Sequence, residues 1–309
     1  MKQESLYWAA AVTGMVCLLT PASAQTRTRN RDLNISFEGG NAEHCADLRV
    51  KSSGEIAQAN ESFTLQKAEA PVLELNGLDH GVIRVRGWAR AEYAVEACKI
   101  AVAADRGSAE QVLRGISVTR SAGRFGSTGP ANPPFEAQWQ IYFIVHAPKD
   151  GALDIETRNG PVSVADIGGS LKLRATNGPL SLQNVSGAVE AHTVNGPISF
   201  SGSGGDVHLT AQNGPISLKL AEDLWNGPRL EARTVNGPVS LNLPETFRSG
   251  VRLETSGHSP VHCGIDACRS AWTDATENQR TLQINGSDTI RLSTENGPVS
   301  VGASKNKVM

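Results

Sequence analysis

The sequence predicts an all-β protein: a parallel two-sheet β-solenoid with 18-residue coils, preceded by a less regular β-rich N-terminal portion. Three observations carry that expectation. The chain holds 31 Gly and 15 Pro in 309 residues, which rules out an all-helical domain because Gly costs about 1 kcal/mol and Pro about 3 in a helix interior. The triplet Asn-Gly-Pro occurs seven times, at Asn159, Asn177, Asn195, Asn213, Asn226, Asn236 and Asn296, and the first four are 18 residues apart. Around the triplets, apolar and polar residues alternate with a period of two, the pattern of strands rather than helices.

Cutting at the glycines that share the period gives four blocks, 151–168, 169–186, 187–204 and 205–222. Within one block, Leu171, Leu173 and Ala175 point one way and Lys172 and Arg174 the other. After the triplet, Leu180 and Leu182 point inward and Ser181 outward. Asn-Gly between two such runs is ordinarily a hairpin signal. Here Pro follows at once, and proline cannot donate to a ladder. The apolar columns also match only if successive blocks lie parallel and in register: Leu153, Leu171, Val189, Val207, then Ile155, Leu173, Ala191, Leu209. A fixed period with a shared pattern is the mark of a repeat architecture.

The outward columns support stacking. Asp154, Lys172, Glu190 and His208 fall in one column, Glu156, Arg174, His192 and Thr210 in the next, and their signs mostly alternate. Opposite charges directly opposite one another stabilise a sheet and like charges destabilise it. The repeat-turn residues Asn159, Asn177, Asn195, Asn213, Asn236 and Asn296 stack as well, placing each amide within reach of the next. Beyond them, 251–261 reads as a variant coil, 262–281 breaks the pattern, and 281–301 is expected to close the array.

Residues 1–24 read as an export signal: Lys2, an apolar run from Leu6 to Leu19, and Ala22-Ser23-Ala24 before Gln25. The run is too short for a membrane anchor, and no later segment reaches spanning length. Four cysteines remain, Cys45, Cys98, Cys263 and Cys268, an even number that favours disulfides in an exported chain. Short separation suggests Cys263–Cys268, which leaves Cys45–Cys98, although three connectivities fit four cysteines. Residues 25–150 read as an irregular β-rich portion or solenoid cap, and 151–303 as the repeats. Within the former, a short helix is expected from Ser108, with Ser108 and Gln111 as a capping box, and 121–135 reads as a loop.

ELNGLDHGVIRVRGWARAEYAVEA, FIVHAPKDGALDIETRNGPVSV and IRLSTENGPVSV resemble the bacterial putative-adhesin family of unknown function, an autotransporter-adhesin-head-like β-solenoid domain, over roughly residues 70–303. The resemblance implies an exported β-solenoid with an adhesin-like role, and it carries no catalytic residues. The proline after each Asn-Gly and the cysteine-bearing segment 262–281 depart from the family's usual form.

Net charge is −2, without the basic excess that nucleic-acid binding needs. His258, His262, Cys263 and Cys268 are the densest group of metal-ligand types, but their spacing fits no familiar zinc site, so no metal and no cofactor is expected. The serine column Ser163, Ser181, Ser199, Ser217, Ser240 and Ser300 shows no His and acid partner and reads as structural. The expected function is an exported, non-enzymatic scaffold or adhesin-like surface or periplasmic protein. Lys172, Arg174, Glu190, His192 and His208 form the candidate face, and a cell-surface polysaccharide or envelope protein is the partner class. Two alternatives stand beside it: a carbohydrate-active enzyme of β-helix type using Trp139, Trp225 or Trp272, and an envelope-associated protein that recruits a partner.

Overall fold

A computed structural model describes residues 35–38, 42–78, 81–256, 259–276 and 279–304. The export signal and His258 lie outside these residues. Two large sheets dominate, of twelve and eleven strands, and they are joined by turns into coils. In chain order the coils span 72–88 (coil 1), 152–165 (coil 2), 171–183 (coil 3), 188–202 (coil 4), 204–220 (coil 5), 226–243 (coil 6), 251–263 (coil 7) and 290–303 (coil 8). Each gives one strand to either sheet.

The registers are parallel. Leu153 pairs with Leu171, Leu171 with Val189 and Val189 with Val207, and Ile155, Leu173, Ala191 and Leu209 form the next column. These strands make the long-strand sheet. On the other, short-strand sheet Val162, Leu180, Ile198 and Ile216 align in the same way. These side chains are buried and form one core running through the stack. Alternation thus does two things: it fills the narrow interior with aliphatic groups and turns the intervening polar residues to the outer faces.

The turns explain the triplet. Each Asn Nδ2 donates to the Asn Oδ1 of the preceding coil, from Asn177 to Asn159 at 2.9 Å and onward through Asn195, Asn213, Asn236 and Asn296. The following glycine N–H donates to the next coil's Asn carbonyl, as Gly160 to Asn177 at 3.0 Å. Glycine is required there because a Cβ on Gly178 would collide with the Gly160 carbonyl of the coil below. Proline comes next, and its carbonyl accepts from the residue that starts the short strand, as Val162 to Pro179 at 3.0 Å.

The extra triplet at Asn226 has a different place. Asn226 pairs with Gly204, and a Cβ on Gly227 would meet the Gly205 carbonyl, so this glycine continues the second-turn column. The insertion before it seats Trp225 in the core, 6% exposed, with its indole N–H on the Gly205 carbonyl at 3.2 Å.

Coil order departs from chain order at the C-terminal end. The segment expected to close the array, coil 8, lies inside it: Ile290–Asn296 pairs with Asn226–Asn236 on one side and Val251–Ser256 on the other. Val299–Ala303 likewise sits between Val239–Leu243 and Val261–Cys263. The stack therefore runs 1-2-3-4-5-6-8-7. Coil 8 carries Asn296-Gly297-Pro298 and extends the Asn ladder, whereas coil 7 lacks the triplet and cannot. Instead Ser256 Oγ donates to the Glu295 carbonyl, and Ser259 Oγ accepts from the Gly297 N–H at 3.3 Å. An antiparallel hairpin, Trp272–Ala275 with Gln279–Ile284, borders coil 7 on the long-strand sheet.

At the other end the ladders begin at residue 72. Val72–Leu78 pairs with Ala152–Asn159, and Gly81–Trp88 with Val162–Ala165. Beyond coil 1 the short-strand sheet continues through Gln138–Pro148, Glu92–Ala103 and Glu55–Gln66, the last two pairings being antiparallel. The helix spans Arg106–Arg114 and is capped by Asp105, whose carboxylate accepts from the Ser108 N–H at 3.0 Å. The expected cap at Ser108 is thus corrected: Asp105 competes for the same orphan amides and captures the Ser108 hydroxyl too. The expected loop at 121–135 contains a strand, Arg124–Thr128, hairpinned to Ser117–Ser121 and extending the long-strand sheet.

Candidate functional site

The two outer faces of the stack differ in chemistry. On the long-strand face the outward residues are mostly ionic. Arg174 reaches Asp154 at 2.8 Å and Glu156 at 3.2 Å. His208 lies 3.1 Å from Asp206 and 3.5 Å from Glu231, and Arg229 is 2.9 Å from Asp206. Arg229 and the pull of His208 hold the Asp206 carboxyl below its ordinary value. Further along, Arg233 pairs with Glu295, and both Arg252 and Arg291 approach Asp288. Lys172, Glu190 and His192 sit among these pairs without an ion pair or side-chain hydrogen bond of their own among the described residues. Of the face expected from the sequence, then, Arg174 and His208 are engaged by carboxylates of the same face and three residues are available. Exposed pairs of this kind are screened by solvent and contribute little to stability.

The short-strand face is almost uncharged. Ser163, Ser181, Ser199, Ser217, Ser240 and Ser300 stand in one continuous column. The neighbouring column begins at Arg86 and Ala165, beside Gln183, and reads on through Ser201, Lys219, Asn242 and Gly302, so that beyond Arg86 a lysine is its one ion. Arg84 precedes Ser163 in the serine column and His262 follows Ser300.

The Arg84 end is the most elaborate polar cluster in the fold. Alternation along Gly81–Trp88 turns Arg84 and Arg86 outward, beside His146 of the adjacent strand, which is in register with Arg86. Segment 42–48 lies across this sheet over Ile100, Val102, Tyr142 and Ile144. The Sγ atoms of Cys45 and Cys98 are within bonding distance, their Cα atoms 5.4 Å apart, which anchors the segment. That brings Glu43 to Arg86 at 2.6 Å and to His146 Nε2 at 2.8 Å. Burial pushes the Glu43 carboxyl up, but hydrogen bonds from His146 and Arg86 outweigh it and hold the carboxyl below its ordinary value. His44 Nδ1 meets Glu96 at 2.6 Å, which raises the imidazole pKa. The Trp88 ring stacks on His146 with centroids 5.2 Å apart, and the Arg90 guanidinium lies 4.7 Å from the Trp88 centroid. A groove of about 260 Å³ opens beside the cluster, lined by Arg84, Arg86, Ser163, Asp166, Gln183 and Asn184.

The other candidates read from the sequence lie apart from this cluster and from one another. Cys263 and Cys268 are within bonding distance, Cα atoms 6.0 Å apart, and the described residues contain no group of three metal-ligating side chains. Trp225 is a core plug, Trp139 borders an open cavity of about 660 Å³ with its indole N–H on the Pro130 carbonyl, and Trp272 is 57% exposed on an edge strand. No described helix is long and apolar enough to cross a membrane.

No known family matches the sequence, and no curated protein does. Among solved structures the chain is similar to a putative cell adhesion protein from Clostridium sporogenes, with 10% identity, TM-score 0.29, and 80% of this chain and 100% of that chain covered. It is also similar to a putative adhesin from Bacteroides fragilis, with 8% identity, TM-score 0.38, and 80% and 97% covered. The family likeness read from the sequence rests on the quoted residues alone.

Proposed function

We propose that the chain is an exported, non-enzymatic scaffold of adhesin-like type, whose stacked coils bind a cell-surface polysaccharide or an envelope protein through their outer faces. Within residues 25–150 the strands and helix outside coil 1 act as the cap of the stack, and 151–303 carry its other coils. The observation behind this reading is the register: each outward position recurs once per coil, so a polymer with a regular repeat meets equivalent positions at every step. The two cysteine pairs fit an oxidising compartment.

On the long-strand face the contact residues are Lys172, Glu190 and His192, while Arg174 and His208 stay in the pairs beside them. A binding screen against glycans and envelope fractions tests this, with Lys172→Ala and His192→Ala combined. Neither side chain holds the fold, so the double variant is expected to melt like the parent and lose binding. Retention of every interaction would remove this face from the account, and release of reaction products from any glycan would overturn the non-enzymatic reading.

A further inference from the structure

The groove at the head of the serine column holds a cation whose partners are incomplete. The Arg84 side chain is only 17% exposed, and its ion pair with Glu43 is long, 3.8 Å. Glu43 is already engaged at 2.6 Å by Arg86 and 2.8 Å by His146. Arg84 makes no side-chain hydrogen bond among the described residues, although a guanidinium carries five N–H donors. Among the described residues none of its nitrogens is a buried donor without a partner, so the unpaired donors face the solvent of the groove. Asp166, on the far wall, does not answer them: its carboxylate accepts from Asn184 Nδ2 at 2.8 Å and lies 3.6 Å from Arg86. The groove therefore presents a forked donor set toward an opening lined also by Arg86, the engaged Asp166 carboxylate, Ser163, Gln183 and Asn184.

From this opening the serine column runs down the stack with rungs about 4.8 Å apart, close to the length of one pyranose unit. The polar side chains beside it, Gln183, Ser201, Lys219 and Asn242, are suited to sugar hydroxyls, and Lys219 is the one further cation of the two columns between Arg84 and His262. A guanidinium fork matches a carboxylate with two parallel hydrogen bonds.

We propose that the short-strand face is a binding site for an acidic polysaccharide lying along the coil axis, with a uronate carboxylate held by Arg84 and successive sugar hydroxyls on Ser163, Ser181 and Ser199. The proposal rests on the polysaccharide-binding reading above and places the site on the opposite sheet from the ionic face.

Calorimetric titration of the purified protein with oligogalacturonate, its methyl ester and polyglutamate tests it. The acid form is expected to bind, and the ester to bind about tenfold more weakly or worse. Arg84→Gln should lower affinity for the acid form by a similar factor while leaving the ester unchanged. Arg84→Lys, which keeps the charge and loses the fork, should fall between, and it serves if the glutamine variant does not fold. Equal affinity for acid and ester, or variants that bind like the parent, would overturn the assignment of Arg84 while leaving the scaffold reading standing. Polyglutamate binding as tightly as the uronate would overturn the sugar class. Absence of binding to both glycans would overturn the site, and the loss of every other glycan as well would take the polysaccharide reading with it.

Discussion

At the residue scale, the least visible contributors are the small side chains next to the Asn turn. Thr157, Ala175, Thr193, Ala211, Thr234 and Thr294 occupy one inward column where the coil narrows. The threonines there are buried, and their hydroxyls donate to turn carbonyls of an adjoining coil: Thr234 to Gly214 and Thr294 to Gly237, both at 2.9 Å. Valine has nearly the same shape, so Thr234→Val removes the hydrogen bond alone and is expected to cost about 1–2 kcal/mol. Thr210→Val, on the exposed face, should stay within about 0.5 kcal/mol. Urea unfolding of both variants checks this, and equal losses would refute the role of the hydroxyl. Titration of Glu43 and His44 has a readable sign. Glu43 is held below its ordinary value, so its stabilisation is present above the unfolded-state pKa and lost as pH falls through the lowered one. His44 is raised, so its contribution is present below the unfolded-state pKa and lost as pH rises through the raised one. Segment 42–48 should therefore be anchored best in the weakly acidic range between the ordinary carboxylate and imidazole values. Amide protection at Leu48, corrected for intrinsic exchange, should peak there; a monotonic trend would contradict it.

At the element scale, what the sequence disclosed followed from how strictly geometry constrained each residue. The apolar columns and the Asn rungs were legible because a one-residue slip would reverse every side chain and because only glycine fits between stacked turns. Coil 1 alternates like strands but falls outside the 18-residue count, because residues 89–151 separate it from coil 2 and a register shift, pairing Ile155 with Leu75 but Thr157 with Leu78, adds a bulge at Asn76-Gly77. The helix is legible from its composition but its first residue is not, since Asp105 and Ser108 are both good caps and Asp105 takes the position. The outward charge columns were also legible, though not which carboxylate each arginine takes. The Arg84 groove was the hardest to foresee. Alternation along Gly81–Trp88 marks both arginines as outward, but Glu43 comes from 43 residues before Arg86 and 103 before His146. The signal that bears on it is Cys45, whose pairing with Cys98 draws segment 42–48 across the sheet.

At the scale of the whole molecule, each coil buries its aliphatic face only against its neighbours, so the two ends need different treatment. One end is covered by antiparallel strands and the helix. The other is covered by a coil taken out of chain order. Coil 8 has the triplet and continues the Asn ladder from Asn236 to Asn296, while coil 7, without it, accepts the terminal position and hands over to the hairpin. Repeat counting alone places coil 7 next to coil 6, and hydrogen bonding reverses that order. The continuity of the outward columns at this end of both faces depends on the order being 6-8-7. Cysteine pairs introduced on adjacent rungs read it directly: Arg233 faces Ser293, and Ser293 faces Glu254. Under mild oxidation, Arg233→Cys with Ser293→Cys should yield a cross-linked peptide by mass spectrometry, and Arg233→Cys with Glu254→Cys should not. A cross-link in the second pair with none in the first would contradict the stack.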